Sequence, residues 1–194
     1  MPHLPPSAFD SFAYVDAAVA GWVRSHSGAA LTAFMGAVSL VHSQAVLWAF
    51  AAVFALYAWK RGERQWARIT IIVVPAGLLL NTLLKLVFAR ARPVLDGVAS
   101  SYDTYSFPSG HAAGSTLVYG LLAAYIASHT SRPGLRWLAF AAAAAMIVLV
   151  ASSRLVLGVH FASDVAGGVA WAALWVWLWI AILAPKRRLP RAEP

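Results

Sequence analysis

Residues 137–184 read WLAFAAAAAMIVLVASSRLVLGVHFASDVAGGVAWAALWVWLWIAILA. Two runs without a charged side chain, Trp137 to Ser153 and Val165 to Ala184, flank a short polar passage holding Arg154, His160 and Asp164. Each run, with its flanks, is long enough to cross the ~30 Å hydrocarbon layer of a bilayer as a helix. Three further charge-free stretches precede them: Ser43 to Trp59, Ile69 to Leu84 and Ala112 to Ser128. The chain is 61% hydrophobic and 11% charged, whereas a soluble domain carries roughly 25% charged residues. These observations predict an all-α, polytopic membrane helical bundle of five to six transmembrane helices.

Charge placement sets the expected topology. Lys60, Arg61, Arg64 and Arg68 fill one connection, Arg132 and Arg136 another, and Lys186, Arg187, Arg188 and Arg191 the C-terminal tail. With alternating crossings these fall on one face, which the positive-inside rule assigns to the cytoplasm. Anchoring therefore accounts for the net charge of +8, and nucleic acid is not expected as a partner. The opposite face holds Arg24, Lys85, Arg90, Arg92 and Arg154. Basic residues placed against the topological preference need another reason, and catalysis supplies one for Lys85, Arg92 and Arg154.

The absence of cysteine rules out disulfides and thiolate metal sites. Met1 to Phe9 carries three prolines and neither the positive start nor the apolar core of a cleavable signal peptide, so insertion is expected to rely on the mature helices. Phe9 to Arg24 reads as an amphipathic helix on the outer surface, with Asp10 and Asp16 toward water and Phe12, Val15, Val19 and Trp22 toward lipid. Ala29 to Val41 reads as a second short interfacial helix, broken at His42-Ser43-Gln44 from the next, with a sixth crossing built from these segments as the rival reading. The expected division is an N-terminal interfacial region (1–42), a transmembrane catalytic domain (43–185) and a basic cytoplasmic tail (186–194). Trp171, Trp175 and Trp179 recur every four residues and are read as an aromatic packing ridge.

Three clusters fall on the outward face: Lys85 to Pro93, Pro108-Ser109-Gly110-His111, and Ser153 to Asp164. Ionisable groups at membrane depth are functional candidates by default. Lys85, Arg92 and Arg154 suit the non-bridging oxygens of a phosphate ester, Arg through its fixed fork of donors. Pro108-Ser109 is a good helix start in which the serine caps free N–H groups, and the hydroxyl of Ser109 with the N–H of Gly110 completes an anion cradle. Such a cradle also stabilises the transition state of phosphoryl transfer. Asp164 follows His160 by four residues, one helical turn, where its carboxylate can accept from one ring nitrogen and leave the other to attack. His160 is therefore the expected nucleophile. His111 has no carboxylate at that spacing and is read as the acid for the leaving oxygen and then the base for water. No metal or other cofactor is expected, because the cations supply the charge and no carboxylate cluster offers to hold magnesium. Asp96 and Asp103 are read as solvated loop acids.

The pattern resembles the type 2 phosphatidic acid phosphatase (PAP2) family, whose membrane members share an active site with soluble vanadium haloperoxidases and bacterial acid phosphatases. Lysine, six residues, Arg-Pro is met by Lys85 to Pro93; Pro-Ser-Gly-His by Pro108 to His111; and Ser-Arg, five residues, His, three residues, Asp by Ser153 to Asp164. Covering about residues 44–184, the resemblance implies a PAP2/haloperoxidase-like core and the same roles for His160, Asp164, His111, Lys85, Arg92, Ser109, Gly110 and Arg154. It further implies a bacterial inner-membrane enzyme with its site on the periplasmic face and its C-terminus in the cytoplasm. Its substrate would be a membrane lipid phosphate: phosphatidic acid, phosphatidylglycerophosphate or undecaprenyl diphosphate. A non-catalytic phospholipid-binding or lipid-transport protein is the alternative, and the oligomeric state stays open.

Overall fold

The computed structural model of the chain describes residues 9–95, 98–99 and 104–183. The prolines before Phe9, the loop acids Asp96 and Asp103, and the tail cations Lys186, Arg187, Arg188 and Arg191 lie outside those residues. A 3-10 turn, Asp10–Phe12, leads into α1 (Ala13–His26), followed by α2 (Ala29–Val41), α3 (Gln44–Lys60), α4 (Arg64–Ile71) and α5 (Gly77–Phe88). Then come α6 (Gly110–His129), α7 (Pro133–Val156) and α8 (Ala162–Leu183). A two-residue antiparallel pair, Val94–Leu95 with Val98–Ala99, sits in the loop before α6.

Among the described residues, three helical spans are long and apolar enough to cross a membrane: Arg64–Phe88, Pro133–Val156 and Ala162–Leu183. The pair α2 and α3 passes the same test only when taken together, and it is bent by 42° at its break, as a broken span or a re-entrant loop would be. Helix α6 adds the remaining member of the bundle. Its 20 residues reach ~30 Å at 1.5 Å per residue, but it is less apolar because protein rather than lipid surrounds it. Ala112 through Val118 are all buried, Ser115 and Thr116 among them. Those hydroxyls bond back to Ala112 O at 3.0 and 2.8 Å, which satisfies them without an external partner.

Around α6 the small and large residues interlock. On α3, Leu47, Ala51, Phe54 and Ala58 form one buried stripe at helical spacing. It packs with Trp66, Ile69, Val73, Leu78, Leu117 and Leu121 into one apolar cluster. The span from Arg64 to Phe88 is interrupted by a π-helical turn, Ile72–Ala76, that contains Pro75. Proline has no N–H to give, and local loosening of the ladder is where such helices adjust. Trp175 Nε1 donates to Val73 O there at 3.2 Å, and Trp171 Nε1 to Asn81 Oδ1 at 3.1 Å. The tryptophan line thus packs α8 against α5 and the π turn, while Trp177 faces outward.

The break between α2 and α3 falls at His42 and Ser43, the place expected. His42 Nδ1 donates to Val38 O at 2.8 Å, and its Nε2 accepts from the Tyr119 hydroxyl at 2.6 Å, which pins the bend to α6. One expectation for α1 is overturned. Phe12, Val15 and Trp22 are exposed as an outward apolar face requires, but Asp16 is buried at 3% exposure instead of meeting water. The reason is a set of partners, Ser163 on α8 and Arg90 beyond α5.

Candidate active site

Chain direction brings the three clusters to one end of the bundle. Lys85 lies in the last turn of α5, His111 in the first turn of α6, Arg154 in the last turn of α7 and Asp164 in the first turn of α8. Lys85, Arg92, Gly110, His111, Arg154 and His160 line a single cavity of about 550 Å³, together with Ser39 and Gln44 from the α2–α3 bend. Asp164 stands behind His160, and Ser109 is fully buried beside the cavity at the start of α6.

Lys85 and Arg92 are aimed by backbone carbonyls, and Arg154 by a serine hydroxyl. Lys85 Nζ donates to Tyr105 O at 2.6 Å and Ser106 O at 3.3 Å. Arg92 donates from Nε to Thr104 O at 2.7 Å and from Nη1 to Val159 O at 2.9 Å. Arg154, only 1% exposed, donates to Ser39 Oγ. Helix α5 ends at Ala89, whose φ of 44° is left-handed, a conformation that costs a non-glycine residue roughly 1–2 kcal/mol. After this turn the chain runs without helix or strand to Pro93, and Arg90 reaches Asp164 while Arg92 reaches His160.

His160 occupies the turn between α7 and α8, which Gly158 makes possible with a φ of 64°. Its Nδ1 lies 3.4 Å from Asp164 Oδ2, and its Nε2 lies 3.3 Å from Arg92 Nη1 on the cavity side. Burial drives the His160 pKa down to about 4, with the Asp164 hydrogen bond opposing and Arg92 and Lys85 adding to the fall. Near neutral pH the pair is therefore a hydrogen bond from a neutral ring to a carboxylate, not an ion pair. With Nδ1 as the protonated nitrogen, Nε2 faces the cavity with a lone pair that accepts from Arg92 Nη1.

Asp164 is held from several sides. Its Oδ2 accepts from the Phe161 N–H at 2.9 Å, which ties it to the start of its own helix, and from Ser106 Oγ. Its Oδ1 accepts from Arg90 Nη1 at 2.5 Å. His111 Nε2 lies 3.4 Å from Ser39 Oγ, so one serine on α2 joins His111 to Arg154.

Ser109 departs from expectation in one respect. It is the N-cap residue of α6, but its side chain makes no capping bond. Its buried hydroxyl has no hydrogen-bond partner among the described residues. A buried hydroxyl without a partner costs free energy unless a ligand meets it, and the helix N-terminus beside it favours an anion. Helix α8 closes against this turn because Gly168 has no side chain: a Cβ there would lie 2.7 Å from Ser109 O. Ser109 N–H donates to Asp164 O at 3.0 Å, which locks the two helix starts together.

All eight candidate residues thus gather within one site. Side chains that the sequence reading did not assign also join it, Ser39, Gln44, Ser106 and Arg90 among them. Among the described residues no three His, Cys, Asp or Glu side chains converge as metal ligands.

The family model of the PAP2 superfamily matches residues 65–188. Phosphatidylglycerophosphatase B of Bacillus subtilis (strain 168) is 36% identical over 101 residues, 50% of this chain and 48% of that protein. The chain thus spans about half the length of this curated relative. Among solved structures, a transmembrane PAP2 type phosphatidylglycerolphosphate phosphatase from Bacillus subtilis superposes with a TM-score of 0.78 at 25% identity. That match covers 89% of this chain and 86% of the other. Aquifex aeolicus LpxE superposes with a TM-score of 0.66 at 18% identity, covering 91% and 99%, and supports the fold alone.

Proposed function

The chain belongs to the PAP2 superfamily, and from that premise we propose that it is an integral membrane lipid phosphatase working through a phosphohistidine on His160. The observation that carries this reading is the arrangement of one imidazole: Asp164 at Nδ1, Arg92 at Nε2, and a cation-lined cavity in front. A protein that only bound phosphate would have no use for a nucleophile oriented in this way.

Lys85, Arg92 and Arg154, with the Ser109 hydroxyl and the Gly110 N–H, surround the three equatorial oxygens of the phosphoryl group. Nε2 of His160 bonds to phosphorus as the bond to the lipid oxygen breaks, and His111, which must enter the step as an imidazolium beside the bound phosphate anion, gives that oxygen its extra proton. Neutral His111 then takes a proton from water, whose oxygen displaces Nε2 and releases inorganic phosphate. The cations supply the charge that a metal ion would otherwise provide.

The substrate is a membrane lipid bearing a phosphomonoester or diphosphate, with phosphatidylglycerophosphate ahead of phosphatidic acid and undecaprenyl diphosphate because of the Bacillus relatives. Its tail stays in the bilayer while its headgroup enters the cavity. Lys60, Arg61, Arg64 and Arg132 cluster at the bundle end opposite the cavity. The positive-inside rule then gives an extracytoplasmic site in a bacterial inner membrane and a cytoplasmic C-terminus.

Phosphate release from these three lipids in mixed micelles, with His160→Ala as the blank and with EDTA present, tests the reading. Release by the unaltered protein in EDTA is expected. Strict dependence on magnesium would overturn the cation-only mechanism, and turnover by the blank would overturn the nucleophile.

The pH profile gives a separate check. Only the neutral imidazole attacks, and with burial holding the His160 pKa to about 4 the neutral form dominates above that pH. The acid limb of kcat/KM should therefore fall near pH 4, once the substrate's own ionisation near pH ~6 is divided out. A limb at the ordinary histidine value of ~6.5 would mean the ring is far more solvated than its packing implies.

A further inference from the structure

Asp16 lies outside all three motifs, on α1. It is buried, and among the described residues the hydrogen bonds of its carboxylate run to the base of the site. Oδ1 accepts from the Ser163 N–H at 2.9 Å, and Oδ2 accepts from Ser163 Oγ at 2.6 Å and Arg90 Nη2 at 2.8 Å. Ser163 stands in the first turn of α8, so Asp16 places a carboxylate at the positive end of that helix. Arg90 extends the chain of contacts: while Nη2 holds Asp16, Nη1 donates to Ser163 Oγ at 2.7 Å and to Asp164 Oδ1 at 2.5 Å. Its guanidinium is sandwiched between Phe9 and Phe161, with Cζ 4.2 and 4.3 Å from the two ring centroids.

The sandwich fixes the plane of the guanidinium, and the two carboxylates fix its rotation. Arg90 holds Asp164 Oδ1, whereas Oδ2 faces Phe161, Ser106 and His160. The tilt of the carboxylate, and how much of its charge His160 feels, therefore depend on Arg90. Asp16 in turn determines how much of the Arg90 charge is already neutralised. A buried ion pair contributes little net stability compared with apolar packing of the same volume. Two carboxylates and a guanidinium kept beneath the nucleophile thus point to a role beyond holding α1 in place.

We propose that Asp16 and Arg90 are positioning residues that orient Asp164 and set the charge it presents to His160, so that α1 is a working part of the phosphatase site. The inference rests on the phosphohistidine reading. Its test must also weigh the other groups around His160: Lys85 from α5, Arg92 and Ser106 from the loop, His111 from α6, Arg154 from α7 and Asp164 from α8. None of these residues is itself substituted in the Asp16 and Arg90 variants.

Charge predicts shifts of opposite sign. In Arg90→Gln the Asp164 carboxylate is no longer offset, its pull on the imidazole proton grows, and the acid limb of kcat moves up. In Asp16→Asn the guanidinium charge is less neutralised, it offsets Asp164 more fully, and the limb moves down. Each shift should be about one pH unit. At the optimum, kcat should fall about 10- to 100-fold, as when a group that orients a functional histidine is removed, with KM changing far less than kcat. Arg90→Lys retains the charge without the fork, so it should return the limb toward the wild-type position while recovering kcat only in part.

The measurement is kcat and KM against pH on phosphatidic acid in mixed micelles, for the full chain and the three variants, with thermal unfolding of each to show that it is folded. Opposite shifts support the proposal. An unmoved limb, or shifts of the same sign, with kcat losses that follow thermal stability would overturn it, leaving Asp16 and Arg90 as braces for α1. Trapping of labelled phosphoenzyme in the same preparations separates the two levels: label on His160 without opposite shifts defeats this inference alone, and no label on His160 defeats the reading beneath it.

Discussion

His160→Gln is expected to lower kcat by about 10⁴- to 10⁶-fold, the range seen when a covalent nucleophile is removed from a site whose binding groups remain. Glutamine has similar reach and stays polar, so the cavity keeps its volume and the cations keep their carbonyl anchors at Tyr105, Thr104 and Val159. Binding of a phosphate ester should persist, because Lys85, Arg92, Arg154 and the start of α6 do not depend on the imidazole. What disappears is the covalent step. Rapid quenching with radiolabelled lipid phosphate should trap an acid-labile, base-stable adduct on the unaltered protein and none on the variant. Label recovered on Ser109, or label that persists without His160, would move the nucleophile elsewhere. Ser109 is the instructive rival, since its buried hydroxyl has no partner among the described residues. Yet it has no base comparable to the Asp164 and His160 pair, and it lies where an anion's oxygen is to be held, not where phosphorus is to be attacked.

The parts of this site that could be read from sequence are those governed by local spacing. His160 and Asp164 are one turn apart, so their contact follows from helix geometry. Lys85, His111 and Arg154 each fall at a helix end, and alternation of the crossings was enough to bring those ends together. Lipid also simplifies the reading, because it tolerates few charges and makes each one conspicuous. Other contacts join segments far apart in the chain: Ser39 to Arg154 across 115 residues, Ser106 to Asp164 across 58, and Arg90 to Asp16 across 74. No local period reports such pairings.

Asp16 shows how a local rule misled. On an amphipathic helix, a carboxylate flanked by apolar residues is assigned to water, and Phe12, Val15 and Trp22 do face outward. Asp16, however, shares its face with Val19, Ala20 and Val23, which turn toward the α7–α8 connection. A signal was present in Arg90. It is a cation on the disfavoured face, two residues before Arg92, and it called for a buried anion. The Ser109 cap failed for a related reason: propensity names the residue suited to a helix start, but not whether its hydroxyl turns to the helix or to a ligand.

Asp164→Asn should cost nearly as much as loss of the nucleophile, about 10⁴-fold in kcat by analogy with the carboxylate that orients histidine in hydrolase triads. The carboxylate accepts on both oxygens: Phe161 N–H, Ser106 Oγ and His160 Nδ1 converge on Oδ2, and Arg90 on Oδ1. An amide has one acceptor and one donor. With its oxygen in the Oδ2 place, its NH2 opposes the Arg90 guanidinium, and with the amide flipped it opposes the Phe161 N–H and the protonated nitrogen of His160. Either way two donors face each other in a buried site, and the ring loses the acceptor that keeps Nε2 free. The negative charge is lost as well, at the step where it matters most, because a phosphorylated imidazole that keeps its Nδ1 proton is a cation and Asp164 is its counter-ion. Single-turnover kinetics should therefore show phosphoenzyme formation slowed by several orders of magnitude, with ester binding little changed. Should Asp164→Asn stay within about tenfold of wild-type kcat, the carboxylate would be a tie for the start of α8, and the orientation of His160 would have to come from Arg92 and the turn at Gly158.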